Sequence, residues 1–446
     1  MRRLVITALA SAIAVSGAAL LMPRATAHAQ TQSWPTLTAF ACAAGSDAQC
    51  RDYDVTARTD TTGDTATIFL EVEHATDSSG NIIPAPLILT YSPYSDLGRN
   101  GDAAHWNSLG YSRAYADVVG TGNSGGCWDY GGFAEKQSVY DVIETIAAQS
   151  WSNGKIGMIG GSYDGTTTYA AAVMHPPHLD TIVPEAAIDR WYDYAFANGV
   201  RYFYTTEPFG YEGPGTAGDE GIDTPAGFSF GLAIPPPIDE QDPNWATTVE
   251  SKITVCTQVQ DTMEGYSTTP DYDAFWQARD YLDGPPGAHQ GLADVTIPVL
   301  VASNYGDWNV KQANGWQAFH KLTSSVFARM YFGSRWHGHG TPPNTATACD
   351  QFDSNDTTVD KWFAHWLQGA NNGLESMPVV TTATTDSNGP TDDSYSCGPE
   401  PSPAQIPLYL EHNADGTWAL SPDAADAPAG APQATIDWLG TNTESN

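Results

Sequence analysis

One stretch, Lys155 to Ala172 (KIGMIGGSYDGTTTYAAA), constrains the fold of this chain more than any other. An apolar run short enough for a buried strand leads into two glycines and a serine, and small residues that tolerate a helix follow. This order is typical of a nucleophile elbow, in which a serine sits on a sharp turn between a strand and a helix. Glycine suits such a turn because the neighbouring backbone leaves no room for a Cβ atom. Ser162 is therefore a candidate nucleophile, although an ordinary strand–helix turn has the same local pattern.

The segments on either side of this stretch predict an α/β fold. Residues 52–74 alternate between polar and apolar side chains, which is typical of an antiparallel hairpin. Further strands are predicted at residues 85–91, 111–119, 180–187, 297–302 and 326–332, and amphipathic helices at 137–149 and 359–367. Strands that alternate with helices at this spacing indicate a sheet with parallel strands.

The N-terminal residues resemble a targeting segment. Arg2 and Arg3 precede an apolar run, and Ala27-His28-Ala29 has the small-x-small pattern of a cleavage site. Residues 1–29 are therefore predicted to be a signal peptide, cleaved near Ala29, that directs the protein to the outside of the cell. No later stretch approaches the roughly 20 apolar residues that a membrane-spanning helix needs.

Composition divides the remaining chain into a core, an insertion and a tail. The α/β core is predicted to comprise residues 30–188 and 289–382. Residues 189–288 are rich in Trp, Tyr, Pro and Gly and are expected to form a helical cap over the carboxyl ends of the strands. Residues 383–446 are predicted to be a linker and the beginning of a C-terminal β domain, because a new strand pattern starts near Gln405.

The charge of the chain limits its partners. The 446 residues include 18 Lys or Arg and 52 Asp or Glu, which gives a net charge of −34, or about −37 without the three arginines of the signal segment. A surface of this sign repels nucleic acid and anionic membranes, so neither is an expected partner. The charge favours solubility in a salty or acidic setting, and binding of a cationic partner is the alternative.

The cysteines predict disulfides rather than a metal site. Six cysteines in an exported chain favour pairing. Cys42–Cys50, Cys256–Cys349 and Cys127–Cys397 are suggested pairs, although spacing alone does not fix the connectivity. The sequence contains neither CxxC nor HExxH, so no metal and no cofactor are expected.

Candidate partners for Ser162 follow later strands in the order that α/β-hydrolases use, which is Ser, Asp or Glu, then His. Asp307 comes shortly after the strand predicted at 297–302, and His337 and His339 follow the one predicted at 326–332. Each residue taken singly also fits an ordinary loop. Together, their types and their order favour a catalytic triad.

At this point several motifs resemble the Xaa-Pro dipeptidyl-peptidase family of serine hydrolases, which also includes cocaine-esterase-like and cephalosporin-acylase-like enzymes. The matching pieces are spread over residues 85–370. They are Ser92-Pro93-Tyr94, the elbow Gly160-Gly161-Ser162-Tyr163-Asp164-Gly165, Trp191-Tyr192-Asp193-Tyr194 with Asn198-Gly199, Tyr272 to Leu282, and Asp307-Trp308-Asn309-Val310. The elbow fits the family pattern G-x-S-Y-x-G, in which the closing glycine comes one place later than in G-x-S-x-G. Three pieces, WYDY with NG, YDAFW with RDYL, and DWNV, favour the peptidase branch.

The resemblance implies a role for each catalytic residue. Ser162 would be the nucleophile, Asp307 the orienting acid and His339 the base, with His337 as the alternative. The hydroxyl of Tyr94 and the backbone N–H of Tyr163 would form the oxyanion hole.

The resemblance also implies how the substrate is held. An enzyme that releases dipeptides needs a carboxylate for the free α-amine of its substrate. Glu212 is the preferred candidate in the cap, and Glu207 is near it in sequence. Trp191 and Tyr194 are candidate walls of a proline-sized pocket, although aromatic residues in a cap often serve packing alone.

The resulting expectation is a secreted α/β-hydrolase with a helical cap, which releases Xaa-Pro dipeptides through an acyl-enzyme and acts on a peptide or a small acyl substrate. An esterase or amide acylase is one alternative, and a catalytically silent hydrolase-fold binding protein is another. Two departures from the family are expected. The extra N-terminal helical domain of some members is absent, and the C-terminal jelly-roll-like β-sandwich appears only as an opening strand, Ile406 to Leu410. The oligomeric state is not predicted.

Overall fold

The structure is a computed structural model, and the residues it describes are 37–41, 49–94, 101–197, 200–201, 271–307, 310–322, 326–336, 357–386, 389–395, 409–412 and 418–421. The predicted signal segment, most of the predicted cap and residues 337–356 lie outside this set. Each of the three suggested cysteine pairs includes a residue outside it, so the pairings stay predictions.

A sheet of eleven strands forms the centre of the described fold, in the order β1-β2-β3-β5-β4-β6-β7-β10-β11-β12-β13. Strands β4 to β7 and β10 to β12 pair in parallel, and the strands at both edges pair antiparallel. Two separate hairpins are β8–β9 and β14–β15. The strands are β1 (Thr38–Ala41), β2 (Cys50–Arg58), β3 (Thr65–Glu73), β4 (Ala85–Ser92), β5 (Ser112–Asp117), β6 (Ser152–Gly161), β7 (Leu179–Glu185), β8 (Phe196–Ala197), β9 (Val200–Arg201), β10 (Val299–Gly306), β11 (Ala328–Trp336), β12 (Val380–Asp386), β13 (Gly389–Tyr395), β14 (Tyr409–His412) and β15 (Trp418–Ser421).

Helices cover both faces of this sheet. They are α1 (Ala103–Ser108), α2 (Phe133–Ala147), α3 (Tyr163–Ala172), α4 (Trp191–Ala195), α5 (Ala274–Gln277), α6 (Gln312–Lys321) and α7 (Thr357–Gln368). Successive residues of β4 point to opposite apolar clusters: Leu87 and Leu89 join the one that includes α2 and α3, and Ile88 joins the one that includes α1 and α7. All eight residues of β4 are buried, as expected for a parallel strand covered on both faces. The expected α/β architecture is confirmed.

Helix α2 begins four residues before the predicted start at Gln137. The Asp129 carboxylate accepts hydrogen bonds from the backbone N–H groups of Gly132, Ala134 and Glu135 at 3.2, 2.8 and 3.3 Å, and so satisfies the first turn. The polar residues of that turn are buried rather than exposed, which is why the apolar pattern did not reveal them.

Two other segments differ from expectation. The cap is expected to be helical, and in its described stretch 271–288 the helix is only Ala274–Gln277. The tail after residue 382 was predicted to begin as a linker, whereas β12 and β13 extend the main sheet to Tyr395. Within the described part of the chain, no helix combines the length and apolar character needed to cross a membrane.

Candidate active site

Ser162 lies on the turn between β6 and α3, as the elbow pattern predicts. Its backbone has φ 58° and ψ −122°, a conformation that L-residues rarely adopt and that costs about 1–3 kcal/mol. The surrounding backbone holds it there, because the Ser162 N–H donates to the Glu185 carbonyl oxygen at 2.9 Å and its carbonyl oxygen accepts from the Thr166 N–H at 3.0 Å. A strained serine at the carboxyl end of a parallel strand has the geometry of a nucleophile elbow.

The elbow has glycine at positions 160 and 165 because a side chain would not fit there. A Cβ atom at Gly160 would lie 2.5 Å from the Cβ of Asp164, and one at Gly165 would lie 2.5 Å from the Glu185 carbonyl oxygen. A Cβ at Gly165 would also lie 2.8 Å from the Gly160 carbonyl oxygen, so strand β6 and helix α3 meet at this position. The crowding at Gly165 explains why the closing glycine comes three residues after Ser162.

Tyr94 and Tyr163 converge on the Ser162 hydroxyl. The Tyr94 hydroxyl forms hydrogen bonds with the Ser162 side chain and the backbone N–H of Tyr163, and the two tyrosine rings pack edge to face with centroids 6.4 Å apart. Burial, together with the nearby Asp164 charge, raises the pKa of the Tyr94 hydroxyl well above its ordinary value. A phenol that stays neutral and an amide N–H therefore lie beside Ser162, where they could stabilise an oxyanion.

A short network holds Tyr94 in place. Its backbone N–H donates to the Ser92 hydroxyl oxygen at 3.0 Å, and the Ser92 side chain also hydrogen-bonds to the Asp164 carboxyl group. Burial raises the pKa of Asp164 to about 7, against the opposing effects of Ser92 and Arg113. Ser92 and Asp164 belong to the motifs Ser92-Pro93-Tyr94 and Gly160 to Gly165, but no local pattern in the sequence indicates that their side chains meet.

Asp307 lies at the same edge of the sheet as Ser162. It directly follows β10, with β7 between that strand and β6, and it is 1% exposed. Its Oδ1 accepts from the Val310 N–H at 2.9 Å. Gly306 of β10 pairs with Trp336 of β11, and Asp307 and His337 are the residues that come directly after this pair in the two strands. His337 and His339 themselves lie outside the described residues, and the choice between them stays a prediction.

Of the two candidate pocket aromatics, Trp191 contacts the tyrosine of the elbow and Tyr194 contacts Trp191. The Trp191 ring packs 5.0 Å from that of Tyr163 and 4.3 Å from that of Tyr130, and its Nε1–H donates to the Tyr281 hydroxyl at 3.3 Å. Trp191 is 1% exposed, which favours packing over substrate contact, and Tyr194 packs edge-on against it at 5.9 Å. The cap carboxylates Glu207 and Glu212 lie outside the described residues.

A buried carboxyl group that the sequence analysis did not single out lies behind the elbow. The Tyr163 hydroxyl donates to Glu135 Oε2 at 2.7 Å and accepts from the Trp128 Nε1–H at 2.8 Å. The Gly131 N–H also donates to Glu135 Oε2, at 3.0 Å. Burial, followed by the charge of Asp129, raises the pKa of Glu135 to about 8. No spacing rule in the sequence connects Glu135 with Tyr163.

The parallel sheet, the helices on both faces and the strained serine at the carboxyl edge define a protein of the α/β-hydrolase fold. The profile of one family of such hydrolases matches residues 81–339. The chain belongs to that family, the X-Pro dipeptidyl-peptidase (S15) family.

Individual relatives agree with this assignment. A Bacillus anthracis protein, provisionally named as an Xaa-Pro dipeptidyl-peptidase, is 28% identical over 340 residues, which are 72% of this chain and 49% of that protein. Among solved structures, a CocE/NonD family hydrolase from Staphylococcus aureus matches with a TM-score of 0.55 and 19% identity over 81% of this chain and 59% of its own. An α-amino acid ester hydrolase matches with a TM-score of 0.51 and 19% identity over 89% of this chain and 66% of its own. The chain spans about half the length of such curated relatives.

Proposed function

We propose that this protein is a secreted serine hydrolase that releases Xaa-Pro dipeptides from peptide N-termini through an acyl-enzyme. The observation that carries the proposal is the strained Ser162, with the Tyr94 hydroxyl and the Tyr163 N–H beside its side chain. Membership of the X-Pro dipeptidyl-peptidase family supports the peptide substrate.

In the proposed mechanism, His339 takes the proton of the Ser162 hydroxyl as the Ser162 oxygen attacks the carbonyl carbon of the substrate's proline. Asp307 orients the imidazole and stabilises its charged form. The carbonyl oxygen becomes an oxyanion that accepts hydrogen bonds from the Tyr94 hydroxyl and the Tyr163 N–H, which already lie beside Ser162. The imidazolium then protonates the leaving amine. In the second half of the reaction, His339 takes a proton from water as the water oxygen attacks the acyl carbon, and it returns that proton to the Ser162 oxygen as the dipeptide leaves.

Dipeptide release also requires recognition of the free α-amine. Glu212 is the proposed carboxylate, and Glu207 is the alternative in the same segment. Trp191 supports the ring of Tyr163 and so shapes the acyl site, and Tyr194 packs beside it. We further propose that residues 1–29 are removed on export and that the cysteines pair outside the cell.

The test compares Gly-Pro and Ala-Pro anilides with the same compounds N-acetylated, together with a short-chain acyl ester. Cleavage of only the free-amine anilides is the expected result, and Glu212→Gln should then raise KM for those substrates. If the ester is cleaved and no substrate needs a free amine, the proposed peptidase activity is wrong and the protein is a general esterase or acylase. If a fluorophosphonate probe fails to label Ser162, the chain is a silent hydrolase-fold binding protein instead.

A further inference from the structure

Glu135 is a buried carboxyl group with an incomplete set of partners. Both hydrogen bonds that it accepts, from the Tyr163 hydroxyl and the Gly131 N–H, go to Oε2. Its other oxygen, Oε1, is buried and has no hydrogen-bond partner. A carboxylate that carries its full charge in such a place is costly, whereas a neutral carboxyl group is tolerated there.

The groups that face Glu135 come from three parts of the chain. Asp129 precedes its helix, Lys136 is its neighbour in sequence, Tyr163 begins α3, and Arg279 and Tyr281 follow α5. Arg279 donates instead to the carbonyl oxygens of Tyr130 and Phe275, both at 2.9 Å. Among the residues that the structure describes, no cationic side chain forms an ion pair with Glu135.

Glu135 holds the side chain of Tyr163, and the backbone N–H of Tyr163 is the proposed oxyanion donor next to Ser162. Tyr163 is fixed at its hydroxyl by Glu135 and Trp128, along its ring by Trp191, and at its backbone by the Tyr94 hydroxyl. A charge on Glu135 would therefore act on the oxyanion site through one tyrosine.

We propose that Glu135 is a positioning residue that must be uncharged for the reaction. In its neutral form it anchors Tyr163 so that the amide points at the developing oxyanion. In its ionised form it keeps the anchor but adds a buried negative charge that opposes the oxyanion. This inference rests on the proposed function, in which the Tyr163 N–H is an oxyanion donor.

The size of the effect follows from Coulomb's law. Glu135 Oε2 lies 2.7 Å from the Tyr163 hydroxyl, and the length of a tyrosine side chain separates that hydroxyl from the amide. A unit charge about 10 Å from the oxyanion, at an effective dielectric constant of about 20, slows the step about 15-fold.

The direction with pH follows from the raised pKa. Because burial raises the pKa of Glu135 to about 8, the group is neutral below that pH and ionised above it, so kcat should fall as pH rises through about 8. Asp164, whose pKa is raised to about 7, adds a separate decrease near that pH. The part that belongs to Glu135 is the part that a neutral glutamine removes.

The experiment measures kcat and KM for an Ala-Pro anilide and a short-chain ester between about pH 6 and pH 9.5. Each enzyme is normalised to its own value at the lower pH. Glu135→Gln keeps an acceptor for both donors and cannot ionise, so its kcat should fall about 15-fold less across this range than that of the wild type. Glu144→Gln is the matched control, because Glu144 is a buried carboxylate of the same helix that binds His178 instead, at 2.7 Å.

A second variant keeps the proposal testable if Glu135→Gln does not fold. Tyr163→Phe removes a hydrogen bond that lowers the pKa of Glu135, so the alkaline decrease in kcat should move to higher pH. Fluorophosphonate labelling of Ser162 separates the two levels: without labelling, the proposed function fails. If Ser162 is labelled, two results would each overturn the role of Glu135. One is a fall in kcat at alkaline pH that is equally large in the wild type and in Glu135→Gln. The other is a fall that occurs at the same pH in Tyr163→Phe as in the wild type.

Discussion

The hydroxyl of Tyr94 offers the sharpest test of the proposed oxyanion site. Tyr94→Phe removes one oxygen that bonds to the Ser162 side chain and the Tyr163 N–H, and it leaves the backbone bond to Ser92 in place. Loss of one preorganised oxyanion donor costs about 2.7–4 kcal/mol in the transition state, which lowers kcat by about 10²–10³. KM should change little, since the donor acts on the oxyanion more than on the ground-state carbonyl.

The assay is steady-state hydrolysis of an Ala-Pro anilide, with Tyr91→Phe as the control. Tyr91 lies three residues earlier, and its buried hydroxyl accepts from the Val119 N–H at 2.8 Å and contacts the Ser138 hydroxyl at 2.8 Å. Its loss should lower the free energy of unfolding by about 1–3 kcal/mol and leave kcat nearly unchanged. A Tyr94→Phe enzyme with kcat close to the wild type, while Tyr91→Phe is equally active, would refute the oxyanion role of Tyr94.

Three further predictions concern stability. Gly165→Ala should destabilise the protein by at least about 1–3 kcal/mol in urea unfolding, because its Cβ would meet the Glu185 and Gly160 carbonyl oxygens; Gly125→Ala, whose nearest contact would be 3.4 Å, should be tolerated. Asp189 is buried with neither carboxyl oxygen hydrogen-bonded, and burial raises its pKa, so its contribution to stability is lost as pH rises. The melting temperature of Asp189→Asn should therefore increase relative to that of the wild type as the pH is raised from about 5 to about 9. A difference in melting temperature that does not change with pH would contradict this. Asp102→Asn should cost about 3 kcal/mol, since it leaves the buried Arg113 guanidinium, now 3.0 Å from Asp102, without its counter-charge; unchanged unfolding would contradict it.

Local patterns in the sequence were sufficient for most of the central strands and for the elbow. The apolar run at 85–91 corresponds to β4, Ala85–Ser92, and the alternation in 52–74 corresponds to the hairpin of β2 and β3. The glycines around Ser162 mark a backbone that leaves no room for a Cβ atom, and this constraint is visible in sequence because it is local.

Features that depend on distant partners were not visible. Glu135 and Lys136 look like exposed residues before a helix, yet both are buried, because Lys136 Nζ donates to the Ala278 carbonyl oxygen at 3.1 Å and Tyr163 donates to Glu135. The partner residues lie 142 and 28 positions away in sequence. The threonine-rich strand β12 was also missed, since its composition resembles a linker and its partner strands decide its structure.

The bond from the Ser162 N–H to the carbonyl oxygen of Glu185 ties the elbow to the last residue of the neighbouring strand. Ser162 is in a conformation that a free chain would leave at once, so its shape depends on β7 already lying beside β6. We therefore expect a nascent or unfolded chain to carry an ordinary, unreactive serine at this position. Under the proposed function, reactivity would appear only when the central strands have assembled, so the protein would remain inactive until folding is complete.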